Sequence, residues 1–280
     1  MKMVEIVGLP VVGASESIQR LSIFLWGESG AGKTTFACTA PGKKLIISFD
    51  PDGYASVGNR SDVKVLDLSG QSHTILDKFE GTDPLNLTRK MEDGTILIDQ
   101  FDTIILDSVT SAAQKALEAG VHKAAKRTKG EEPPTMEFPG MQGYGARTAR
   151  MITVLTSLLA VTQKYKKNFI AITHEDDPSL DKQGNVLFIT MMLGGKLKNN
   201  VNLRMSEVWH IREHNGKRFI AIRPCRSRVP MKTRMFVTNG NPEFELKYNP
   251  NVPDEDQEHT ITNWFNQWIK NETRKLELPK

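Results

Sequence analysis

Residues 27–35 read GESGAGKTT, and the fold follows from how that stretch is understood. It fits G-x-x-x-x-G-K-[ST], the loop that wraps the phosphates of a nucleotide. Residues 21–26 (LSIFLW) precede it as an apolar run of strand length, and residues 34–40 can open a helix that Pro41-Gly42 would stop. Gly27, Gly30 and Gly32 carry no side chain to hold a polyphosphate away, and they permit the backbone angles that turn several N–H groups inward. A helix N-terminus behind them adds partial positive charge. Lys33 is expected to reach the β- and γ-phosphates, and the Thr34 hydroxyl to ligate Mg²⁺. Glu28, Ser29, Ala31 and Thr35 complete the expected nucleotide-binding set.

The chain has 280 residues, which suits one large α/β domain or a domain with a small appendage. Its net charge of +4 is mild, so it permits a polyanionic partner without arguing for one. No apolar run approaches a membrane span, and the opening MKMVEIVGLPVVG lacks the pattern of a secretion signal. Cys38 and Cys225 lie far apart and form no metal or redox motif. These features predict a cytoplasmic protein with no membrane partner.

Outward from the loop, residues 44–50 (KLIISFD) read as a buried strand, and 63–68 (VKVLDL), 103–107 (TIILD) and 168–173 (NFIAIT) as further strands. Asp83-Pro84 reads as a helix start, residues 111–119 as a helix, and residues 120–144 as a long surface loop. Residues 146–165 carry Met151, Val154, Leu155, Leu158, Leu159 and Val161 at helical spacing. Residues 176–195 form a second irregular stretch. Residues 207–212 and 217–223 flank His214-Asn215-Gly216, a hairpin signal, and residues 234–237 and 244–248 could add strands. In residues 260–275, Ile261, Trp264, Phe265, Trp268 and Ile269 make one apolar stripe, expected to dock on the body of the same chain. Alternating strands and helices predict a mostly parallel twisted sheet with helices on both faces and an antiparallel hairpin extension toward the C-terminus. The expected division is a lead-in over 1–20, a core over 21–250, and a linker with an amphipathic helix over 251–280.

A phosphate loop needs a metal anchor and a group to direct water. Asp107 ends an apolar strand, where the acid that holds the Mg²⁺ hydration shell is expected. Ser108 follows it, where many ATPases carry a glutamate base, so the base must come from elsewhere. Asp52 is the expected general base and Asp50 the alternative, because ligands collect at the carboxyl ends of parallel strands; Asp-Pro-Asp-Gly is also a turn sequence in its own right. His174 ends the fifth strand and is a candidate γ-phosphate sensor. Lys123, Lys126, Arg127 and Lys129, with Phe138 and Tyr144 beyond, and then Lys196 and Lys198 place cations and rings in two loops, a pattern that suits a single-stranded nucleic acid. Arg226 and Arg228 belong to a basic row that could reach a neighbouring subunit's phosphates.

Taken together, these motifs resemble the RecA-type recombinase core, and in particular small phage-encoded RecA-like ATPases that have only this core and act as single-strand annealing proteins. The resemblance covers residues 20–250. GESGAGKTT matches the phosphate loop, SFDPDG the strand end whose acid falls on Asp52, and TIILDS the second nucleotide motif on Asp107 and Ser108. FIAITHE matches the strand whose polar end senses the γ-phosphate, with His174 where bacterial RecA has glutamine. YGARTARMITVLTSLL resembles the helix after the first DNA-binding loop, LGGKLK the end of the second, and residues 226–232 the basic strand facing a neighbour's nucleotide. The resemblance implies a RecA-like P-loop NTPase fold and an ATP- and Mg²⁺-dependent, DNA-stimulated ATPase. It further implies binding of single-stranded DNA, annealing or strand pairing in a homo-oligomeric ring or filament, and a single-strand-binding protein as a further partner. If phage-encoded, the protein would act in the host cytoplasm. Two other classes stay open: a helicase or helicase loader on the same core, and a nucleotide-dependent scaffold without turnover.

Overall fold

The computed structural model describes residues 5–6, 9–10, 20–126, 133–194, 197–223, 227–237, 243–270 and 275–277. Its centre is an eight-stranded sheet. The strands are β1 (Ser22–Gly27), β2 (Lys44–Ser48), β3 (Val63–Asp67), β4 (Thr103–Asp107), β5 (Asn168–His174), β6 (Glu207–His214), β7 (Lys217–Ala221) and β8 (Glu243–Leu246). They lie in the order β8-β7-β6-β1-β5-β4-β2-β3. From β6 to β3 every neighbouring pair is parallel, whereas β6–β7 and β7–β8 are antiparallel. This is the RecA-like P-loop arrangement, with antiparallel strands added at the C-terminal end.

Both faces of the sheet are covered, so its central strands read as unbroken apolar runs. Alternate residues nonetheless go to opposite cores. Phe24 and Trp26 of β1 face one core with Leu106, Phe169 and Ala171, while Ile23 and Leu25 face the other with Ile105, Ile170 and Ile172. The first core is closed by α2 (Val109–Ala125) and α3 (Gly140–Lys164), the second by α1 (Lys33–Ala37) and α5 (Ile261–Lys270). A short helix α4 (Leu197–Arg204) leads into β6.

Several boundaries differ from expectation for identifiable reasons. α2 runs on past Ala119 to Ala125, and α3 begins at Gly140, so both ends of the expected loop over 120–144 are helical. The glycines that read as loop serve close packing instead: a Cβ on Gly120 would lie 2.9 Å from the carbonyl oxygen of Gly143 on α3. Lys123 is therefore on a helix, exposed on its last turns. Asp83-Pro84 opens only a single 3-10 turn, Pro84–Asn86, in which Leu85 and Asn86 have positive φ and cannot continue a helix. Residues 234–237 join the structure by an isolated bridge, Phe236 to Leu276, rather than as a strand. Residues 176–195 contain a small hairpin, Ser179–Leu180 with Val186–Phe188.

The terminal helix docks as expected. Ile261, Trp264, Phe265 and Trp268 are buried, and only Ile269 of the stripe stays largely outside. Trp264 packs against Phe36 of α1 (5.6 Å between ring centroids), Trp209 (5.7 Å) and Phe244 (5.8 Å). Ile261 N–H donates to Thr39 Oγ1 (3.0 Å) and Thr262 Oγ1 to Thr39 O (2.7 Å), which fixes α5 to the turn after α1.

Candidate functional site

The phosphate loop leaves β1 at Gly27, whose φ of 154° and surroundings exclude a side chain: a Cβ there would lie 1.8 Å from Ile211 O. Gly30 and Gly32 have φ of 80° and 87°, the left-handed region that favours glycine. The loop closes on Lys33, the first residue of α1. Ser29, Gly30, Gly32, Lys33, Thr34 and Thr35 line a cavity of about 480 Å³. Glu28 is exposed and Ala31 is buried in the core below, so these two shape the loop from outside the cavity.

The strand order carries the rest of the site here. β5 lies between β1 and β4, so His174, at the end of β5, sits between the phosphate loop and Asp107. Asp50, Asp52, Asp107 and His174 all line the same cavity. Thr34 Oγ1 donates to Asp107 Oδ2 (2.6 Å). Lys33 Nζ donates to Gly27 O (2.9 Å) and Glu28 O (2.6 Å), which leaves one ammonium proton for the cavity. Asp107 is only 4 % exposed, and burial pushes its carboxyl up to about 6, helped by Asp50 and opposed by Thr34 and Lys33. Burial also lowers Lys33, against the pull of Asp107, Asp50 and Glu175. A buried acid raised and a buried base lowered are charges short of compensation. The Thr34 hydroxyl beside the Asp107 carboxylate is an all-oxygen pair that fits a hydrated Mg²⁺, and glycine N–H groups with Lys33 fit a polyphosphate.

The two candidate bases differ in their surroundings. Burial alone would raise Asp50, but hydrogen bonds from His174, Ser111 and Ser108 outweigh it and hold the carboxyl below its ordinary value. Its Oδ2 lies 3.3 Å from His174 Nε2, and its Oδ1 accepts from Ser108 Oγ (3.1 Å) and from Ser111 Oγ. Asp52 is exposed with φ of 54°, and its carboxylate has no hydrogen-bond partner among the described residues. Asp50 is thus tied to His174 and to the first turn of α2, while Asp52 is free at the cavity mouth.

His174 also leads away from the cavity. Its backbone N–H donates to Thr110 Oγ1 (3.0 Å), and its carbonyl accepts from Met192 N–H (2.8 Å). Two residues on, Gly194 lies against Arg147 of α3, where a Cβ would fall 1.9 Å from Arg147 Nη2. The Arg147 guanidinium in turn sits 5.0 Å over the Tyr144 ring. The stretch leading toward Lys198 therefore packs on α3 at Arg147, beside Tyr144. Phe138 (73 % exposed), Met141 and Tyr144 are exposed there. Lys123 and Lys126 are exposed at the end of α2, and Lys198 is half-buried on α4. Arg127, Lys129, Lys196 and Arg226 lie outside the described residues. Arg228 pairs within the chain with Glu243 (3.2 Å), an acid that Arg212 also holds at 2.6 Å. An arginine so engaged must change partner before it can serve a neighbouring subunit.

Arg218 was not singled out in the sequence. On β7, just past the hairpin turn at Asn215-Gly216, it lies over Gly32, where a Cβ would come within 2.6 Å of Arg218 Nε, and it lines the cavity. The hairpin register was the available signal, because β7 is two strands from β1 once the sheet order is known.

Sheet order and the Lys33–Thr34–Asp107 grouping define a P-loop fold of RecA-like arrangement. Residues 19–235 match the family AAA_24, described as an AAA domain, and the chain belongs to that family. No curated protein matches the chain. Among solved structures it is similar to the RadB recombinase, at 13% identity over 72% of this chain and 79% of that one, with a TM-score of 0.38. It is also similar to a KaiC-like protein from the hyperthermophilic archaeon Pyrococcus horikoshii OT3, at 14% identity over 82% and 87%, with a TM-score of 0.40. Among the described residues no helix is long and apolar enough to cross a membrane.

Proposed function

We propose that this protein is an ATPase of the RecA-like recombination type that binds single-stranded DNA and promotes annealing or strand pairing. The observation that carries this reading is the continuous path from Asp50 and His174, through Met192 and Gly194, to Arg147 and Tyr144. A nucleotide site alone would not need its polar strand end bonded to a segment that also packs beside exposed rings.

In this reading the glycine N–H groups, Lys33 and Arg218 bind the phosphates, and Thr34 with Asp107 holds Mg²⁺. The ion, when bound, neutralises charge between the phosphates. Asp52 orients and deprotonates the attacking water, since its carboxylate is free to do so. Asp50 relays the state of His174 to Ser108 and Ser111 at the start of α2. Each end of the path reaches one DNA segment: α2 leads to Lys123 and Lys126, and β5 leads to the stretch before Lys198. The γ-phosphate thereby biases a two-state arrangement of both segments. Phe138 and Tyr144 offer faces for bases, and the lysines take phosphates. The active form is a head-to-tail homo-oligomer, with Arg228 and Arg226 near the next subunit's nucleotide.

The deciding experiment is ATP turnover with and without single-stranded DNA, read beside particle size. Stimulation by DNA is expected, and Lys33→Ala should abolish nucleotide binding or turnover. Unchanged ATPase in that variant would remove the site assignment. DNA affinity should fall steeply with salt, as phosphate contacts release counterions; a flat response would count against the basic segments.

A further inference from the structure

Away from the cavity, His73, Glu118 and His122 converge. Each offers one ligand atom, and these atoms all lie within 4.8 Å of one another. His73 Nδ1 is 3.5 Å from Glu118 Oε1, and His122 Nε2 is 3.9 Å from the same oxygen. Both separations exceed the usual range for a hydrogen bond to an imidazole nitrogen. They come close to the spacing of about 3.4 Å between ligands bound at ordinary zinc distances on a tetrahedral ion. The two imidazoles stack, with centroids 4.9 Å apart and planes 19° from parallel.

The chain builds this meeting from two elements. Glu118 and His122 are one helical turn apart on α2, an i, i+4 pair on a single face. His73 opens the 3-10 segment His73–Phe79, whose Leu76 and Phe79 are anchored in the core. Lys115, three residues before Glu118 on α2, donates to Ser69 O (2.9 Å) and Gln71 O (2.6 Å), which fixes the backbone just ahead of His73. The backbone that carries the donors is therefore fixed before any ion arrives. His122 is 60 % exposed on its side chain, so an ion can enter from solvent.

We infer that His73, Glu118 and His122 form a binding site for a zinc-type divalent transition metal, with a fourth position left to water. Two imidazoles and one carboxylate are the donor set that suits such an ion, whereas Mg²⁺ prefers oxygen alone. The ion ties the 3-10 segment to the last turns of α2. This inference is independent of the nucleotide reading, because none of the three residues lines that cavity.

The test uses the full chain without a polyhistidine tag, in excess Mg²⁺ so that the Thr34–Asp107 site takes no transition metal. Co²⁺ is titrated first, with its visible absorption read, and Zn²⁺ then competes for the site. One equivalent is expected to bind, and Zn²⁺ is expected to raise the melting temperature. His73→Asn, Glu118→Gln and His122→Asn should each weaken binding by at least ~10-fold, the low end for loss of a mere outer-shell partner. They should also lose the zinc-dependent rise in melting, with circular dichroism unchanged. Saturable zinc binding that is undiminished in the His73→Asn/His122→Asn double variant overturns the assignment. So does a wild type that shows no saturable binding at all.

Discussion

Asp107 carries the sharpest consequence at the scale of single residues. Its carboxyl is pushed up to about 6 in the fold against an ordinary 3.8, so the folded chain holds that proton more tightly than the unfolded chain does. Stability without ligand therefore falls as pH rises from about 4 to about 6, and stays reduced above that. Asp107→Asn removes the cost of burying the charge and keeps an acceptor for Thr34. It should stabilise the nucleotide-free protein by about 2–3 kcal/mol at neutral pH, with the gap closing at pH 4, as urea titrations at the two pH values would read. The same substitution should abolish Mg²⁺-dependent nucleotide binding. In the wild type that binding should weaken as pH drops through about 6, because a protonated Asp107 cannot hold a cation. Lys33, Thr34 and Asp107 were legible in the sequence because their roles depend on short, fixed spacing. The contrast between Asp50 and Asp52 was not legible, since it depends on Ser108, Ser111 and His174 arriving from two other strand ends.

At the scale of elements, the β6–β7 hairpin supplies what the phosphate loop lacks. It brings Arg218 over Gly32, where under the proposed function a guanidinium would add a charge-assisted contact to bound phosphates. Arg218→Ala should weaken nucleotide binding by roughly ten- to a hundredfold, the equivalent of about 1.5–3 kcal/mol, in a fluorescent-nucleotide titration. Equal affinity in that variant would confine the arginine to a structural part. The central strands were easy to read because burial on both faces leaves apolar runs that end in turn residues. The ends of α2 and α3 were harder. Gly120 and Gly143 read as loop residues in one dimension, yet there α2 and α3 pack so tightly that a Cβ on Gly120 would not fit. Only the three-dimensional partner distinguishes a glycine that breaks a helix from one that lets another helix approach.

Across the whole molecule, the aromatic cluster around Trp264 joins the chain's last helix to α1, which follows the phosphate loop. Phe36, Trp209, Phe236 and Phe244 all touch its ring. Trp264→Ala should cost about 3–5 kcal/mol in denaturant unfolding. It should also weaken nucleotide binding, since Thr39 and Phe36 lose the support that holds α1 in place. The spacing of the stripe announced a docked helix. That its landing site is the back of the nucleotide loop could not be read from periodicity, which tells which face is apolar and not what that face meets.

That indole, backed onto the short helix whose first residue is Lys33, is 2 % exposed and donates its N–H to Glu258 O (2.7 Å). A shift of the helix as the loop fills would change the packing around the ring. Its emission therefore offers an intrinsic optical gauge of occupancy, readable in the unlabelled protein.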